Sequence, residues 1–175
     1  MFGVFRRRPK LPASRRPALE RDERVLAWAA TEGDASEVVA TNRGLWLPGR
    51  GRLGWHEIHK AVWSGRELRV TPAEVREPLD GYAVVADQPE VGHLLLDPGE
   101  LPHQVRTRVT RSVAYTAHHT LTGGGGVRVV ARRVSGVDGL TWTVRYDPGT
   151  PVDPVVTDAT AELVAQAKSA TEPVL

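Results

Sequence analysis

The chain has 175 residues, of which 41% are hydrophobic and 25% charged, with 13 prolines, 17 glycines and no cysteine. That length suffices for one compact core, or one core with an appendage. The lack of cysteine excludes disulfides, thiolate catalysis and Cys-ligated zinc. Together with the lack of a spanning run of about eighteen apolar residues or a signal-peptide pattern, it predicts a cytoplasmic protein.

The formal charge of +2 conceals a split. Residues 1–16 carry Arg6, Arg7, Arg8, Lys10, Arg15 and Arg16 and no acid, while the remainder holds 17 bases against 21 acids. Three prolines and no sustained periodicity predict a disordered basic arm over residues 1–19. Any affinity for a polyanion is expected in that arm, through its bases and the insertable Phe2 and Phe5, with peripheral association at the inner membrane face or RNA as the targets.

Order is expected from about residue 20. A strand over 24–30, a turn at 32–36 and a strand over 37–41 read as a hairpin. A turn at Gly44, the strand Leu45 to Leu47, a glycine-rich turn and a longer strand centred on Trp55, Ile58 and Val62 continue a meander. Further strands fall at 67–70, 81–86 and 91–96, seven in all. Residues 101–118 alternate well enough for a strand. Leu101, Val105, Val109, Val113 and Ala117 also recur every fourth position, and the helical reading is adopted because Pro102 suits a first turn. After the flexible joint Gly123 to Gly126, strands are predicted at 127–134 and 140–146. A helix follows at 154–170, with Asp153 as its N-cap.

The meander residues Thr41, Leu45, Trp46, Leu47, Trp55, Glu57 and Ile58 stand in an order that resembles the bacterial pleckstrin-homology-like and GRAM-like domains. The wider sequence is similar to a family of uncharacterised actinobacterial proteins. The resemblance implies an α+β fold: a strongly bent antiparallel sheet or partly open barrel of about seven strands closed by a helix, followed by a β-hairpin and a C-terminal helix. The expected organisation is a disordered arm at 1–19, a pleckstrin-homology-like domain at 20–121, and a linker at 122–126. A ββα extension docked on the first domain at 127–170 and a tail at 171–175 complete it.

Motif readings are mostly unproductive. Gly49-Arg50-Gly51-Arg52-Leu53-Gly54 satisfies G-x-G-x-x-G, yet it leads toward a strand and lacks the helix N-terminus that receives pyrophosphate. His56-Glu57-Ile58-His59 spaces its histidines three apart, which on a strand puts them on opposite faces and prevents chelation. Ser112, His118 and an aspartate lack a nucleophile turn. No catalytic residue, cofactor or metal is therefore expected. Trp55, Trp63, Arg108, Arg111 and Tyr115 are the candidate residues for a protein partner, the tryptophans as exposed anchors on a straight strand, with burial of one of them by a β-bulge or bend as the alternative, and the others as one helix face. Glu32 and Asp34 occupy the loop where phosphoinositide-binding relatives place cations, so no phosphoinositide is expected. The expected function is a non-enzymatic protein-interaction module, with binding to membrane or nucleic acid through the arm as the alternative.

Overall fold

The computed structural model describes residues 9–173. Short β-branched and aromatic runs separated by glycine turns fold here as a meander. β1 (Val25–Thr31), β2 (Glu37–Thr41), β3 (Gly44–Leu47) and β4 (Gly51–Gly54) pair antiparallel in succession. A one-turn 3-10 helix, Trp55–Glu57, then redirects the chain into β5 (Ile58–Trp63). β6 (Glu67–Leu79), β7 (Tyr82–Asp87), β8 (Val91–Leu96) and α1 (Leu101–Ser112) follow. β9 (Val113–Thr120), β10 (Gly126–Arg133), β11 (Leu140–Tyr146) and α2 (Pro154–Thr171) complete the described chain.

The architecture is α+β, with eleven strands in an open, mixed sheet of order β4-β3-β2-β1-β8-β6-β7-β11-β10-β9, in which β5 pairs with β6. The length of β6 organises it. Thirteen residues at about 3.3 Å each make a strand of roughly 43 Å, longer than one small core can cover. Its first half pairs with β5 and β8, and its second half runs on to pair with β7. β7 in turn pairs in parallel with β11, so the C-terminal strands continue the same sheet.

Two cores result. The first collects Ala29, Val38, Leu45, Ile58 and Val70 beneath Leu101 and Val105 of α1. The second packs Val127, Val129, Trp142 and Val144 against Val156, Val164 and Ala167 of α2. Asp153 caps α2 by accepting from Val156 N at 2.8 Å, and Lys168 Nζ donates to Gly81 O at 2.7 Å, fastening the helix to the β6–β7 turn.

Where the chain enters the sheet, Glu23 is locked by polar contacts. Its side chain has no exposure, and it accepts from Thr41 Oγ1 at 2.6 Å, Trp46 Nε1 at 2.9 Å and Arg52 Nη1 at 2.7 Å. A buried carboxylate is tolerable only when its lone pairs are satisfied in this way.

Three expectations need correction. The helix predicted over 101–118 stops at Ser112, and residues 113–120 form a strand against β10. Val113, Tyr115 and Thr116 favour an extended, half-buried edge, and cross-strand pairing outweighs the fourfold spacing. The first unit contains eight strands before α1, because β4 and the 3-10 turn split the long third turn-and-strand segment. The glycine motif forms the expected hairpin turn between β3 and β4, with Gly49 and Gly51 at φ +68° and +88°, and only the single 3-10 turn Trp55–Glu57 follows it. Finally, the expected disorder does not reach residue 19. Leu11 is 3% exposed, Ala13–Arg15 make a 3-10 turn, and Trp28 Nε1 donates to Pro9 O at 3.2 Å. Phe2, Phe5, Arg6, Arg7 and Arg8 lie outside the described residues.

Candidate anion-binding cleft

The two faces of the C-terminal hairpin have opposite character, and the alternation of β10 sets it. Val127, Val129 and Ala131 turn to α2, so Arg128, Val130 and Arg132 share the other face. Register places Arg145 opposite Arg128, Thr143 opposite Val130 and Thr141 opposite Arg132. This cationic face looks onto the first unit, across a cleft of about 220 Å³ whose far wall carries His56 and His59. Ala73 and Val75 of β6 and Ala83 and Val85 of β7 supply an apolar floor.

The two histidines meet in one cleft because His56 sits in the 3-10 turn while His59 follows on β5. The turn removes the strict alternation that separates residues three apart on a strand. Burial lowers the His56 pKa, opposed by Glu57. Burial also lowers that of His59, and the neighbouring Arg145 adds to the effect. Both rings are thus neutral near pH 7, and His59 accepts from Arg145 Nη1, 2.6 Å from its Nε2.

The three arginines differ in their partners. Arg145 Nη2 pairs with Asp87 Oδ1 at 2.8 Å. Exposed Arg128 lies at the mouth, with Nη1 3.4 Å from Thr116 Oγ1. Arg132 is half-buried and donates from Nη1 to Ser112 Oγ at 2.8 Å. Among the described residues no carboxylate pairs with Arg132, and burial and Arg145 both lower its pKa. Glu57 also lines the cleft, and its Oε2 is occupied by Gly54 N at 2.7 Å. A guanidinium that is partly desolvated without a counter-ion is a ready partner for an anion.

The residues singled out from sequence fall elsewhere. Trp55 is a correction: it is 3% exposed and its Nε1 donates to Thr41 O at 3.0 Å, so it belongs to the first core. A register shift between Ile58 and Lys60 then switches the face of β5, and Trp63 packs half-buried on the same core. Arg108 and Arg111 do neighbour each other on α1, whereas Tyr115 lies on β9 with its ring 5.7 Å from that of Trp142. The three therefore form no common helix face. Lys10 is exposed, Arg15 pairs with Glu37 at 2.9 Å, and Arg16 Nε donates to Leu11 O at 3.2 Å. His118 pairs with Asp147 at 2.8 Å on β9, and Ser112 is engaged by Arg132, so the two do not combine.

Among the described residues, no group of three metal-ligating side chains converges, and no helix is long and apolar enough to cross a membrane. A scan against protein-family models, a search of curated proteins and a search of solved structures each return no match.

Proposed function

We propose that the chain is a non-enzymatic interaction module that recognises an anionic group of another molecule in the cleft between β10–β11 and the 3-10 turn. The observation that carries this reading is Arg132, a half-buried guanidinium with no carboxylate partner among the described residues, set among Arg128, Arg145 and two neutral histidines. The meander β1 to β5 with α1 across its core supports a pleckstrin-homology-like, GRAM-like description of the first unit. β9, β10, β11 and α2 are then an addition whose polar face completes the binding site.

The first hairpin loop supports the expectation of no phosphoinositide there. Asp34 Oδ1 is held by Thr31 Oγ1 at 2.6 Å and by Ser36 Oγ at 2.7 Å, and Glu32 pairs with Arg66 at 3.0 Å. An inositol phosphate would meet two ordered carboxylates. Binding through the basic N-terminus is supported less, because Arg15 and Arg16 are already engaged.

The test is amide chemical-shift mapping on the full chain as acetate replaces chloride at constant ionic strength. Shifts confined to residues 56–59, 128–132 and 141–145 are expected. Absence of saturable shifts, or shifts scattered over exposed lysines and arginines, would contradict the reading.

A further inference from the structure

Resting on the anion-binding reading above, we infer that the cleft takes a carboxylate carried on a short branched apolar group, with the head on Arg132 and the body on the Val75–Val85–Val130 floor.

Charge sets the head. Three guanidiniums line the cleft against two nearby carboxylates, Asp87 paired with Arg145 and Glu57 in the lining. One positive charge is left in excess, which a monoanion balances and a phosphate dianion oversteps. Arg132 uses Nη1 for Ser112 Oγ, leaving the remaining donors of its planar fork for a carboxylate. Thr143, half-buried opposite Val130, offers a hydroxyl beside that head.

Volume and lining set the body. The cleft, at about 220 Å³, falls below the ordinary range for drug-sized ligands. Val75 is 58% exposed, while its cross-strand partner Val85 is 9% exposed. An exposed valine beside a buried one, with the small side chains of Ala73 and Ala83 leaving room next to them, gives a methyl-lined step in the same cleft as the guanidinium. A simple inorganic anion would leave that step wet, whereas a carboxylate carrying a branched five-carbon group covers it.

The chemistry has two sources: a free small carboxylic acid, or the C-terminal leucine-like residue of a partner chain. Calorimetric titration of the full chain separates them with four probes: acetate, 4-methylpentanoate, its neutral amide, and N-acetyl-leucine. The expected result is 4-methylpentanoate or N-acetyl-leucine binding about tenfold or more tighter than acetate, equivalent to about 1.4 kcal/mol. The amide should not bind, and Arg132→Met should remove binding. Preference for N-acetyl-leucine identifies a peptide C-terminus, and preference for 4-methylpentanoate a free acid; either supports the inference. Affinity for acetate equal to that for both 4-methylpentanoate and N-acetyl-leucine would overturn the inference while leaving the anion site standing. Amide binding as tight as the acid, or no binding by any probe, would overturn both. Because Arg132 also holds Ser112, Arg128→Gln at the exposed mouth serves as a second variant. An intact fold with affinity reduced about threefold is expected, and unchanged affinity in both variants would contradict the assignment.

Discussion

Replacing Trp142 with alanine tests whether the C-terminal hairpin and α2 form a true core. The residue is 8% exposed and its ring lies 5.7 Å from that of Tyr115 at 46°, on the face that receives Val156, Val164 and Ala167. Emptying such a site costs about 3 to 5 kcal/mol, since the cavity left behind adds to the lost transfer free energy. About 0.5 to 1.5 kcal/mol of that belongs to the ring pair itself. A double-mutant cycle with Tyr115→Leu should recover this share as a coupling energy. Urea denaturation of the wild type, both single variants and the double variant supplies all four values. A loss below about 1 kcal/mol for Trp142→Ala would refute the reasoning, because a large buried ring cannot be removed so cheaply.

Leu11→Ala should destabilise by about 2 kcal/mol if residues 9–19 pack as described, and a change under about 0.5 kcal/mol in urea would mean that they do not. Glu23→Gln should cost about 2 to 4 kcal/mol, since it breaks a buried, fully hydrogen-bonded carboxylate, and an unchanged denaturation midpoint would oppose this. The same carboxylate gives an acid limit. Burial raises its pKa, but hydrogen bonds from Thr41 and Trp46, with Arg52 nearby, hold it below the ordinary value. Its stabilisation is present above the unfolded pKa and is lost as pH falls through the depressed folded one, so Glu23→Gln should flatten that acid limb. His56, His59 and His93 are lowered chiefly by burial, so the unfolded chain takes up their protons first. Stability should therefore decline as pH drops below about 6.5, and His59→Gln should make that decline shallower; a steeper one would contradict the sign.

The legible parts of this chain were those where local chemistry decides. Turn glycines and β-branched runs mark the meander, and Asp153 followed by Pro154 marks the start of α2. Less legible were outcomes set by partners distant in sequence. The Leu101 to Ala117 spacing suits a helix throughout, yet β10 captures residues 113–120 because an added strand satisfies both backbone and side-chain face. A straight strand would leave Trp55 an exposed anchor and a bend would bury it; the sequence allows both, and the 3-10 turn decides for burial. The cleft was half visible: Thr141, Thr143 and Arg145 share one strand face in any reading. Pairing them with Arg128, Val130 and Arg132 needed only the hairpin register. Bringing His56 and His59 opposite needed the extension of β6 beyond the first core, which no local pattern announces.

The central claim is that Arg132 holds an anion in the cleft, and thermal unfolding of the full chain at fixed ionic strength addresses it most directly. At an anion concentration ten times its dissociation constant, linkage stabilises the folded state by about 1.4 kcal/mol. In a chain of this size that raises the midpoint by about 3 to 6 °C. The account expects this rise when 4-methylpentanoate replaces chloride in the wild type and its loss in Arg132→Met. An equal rise in both proteins, or none in the wild type at saturating concentration, would contradict it.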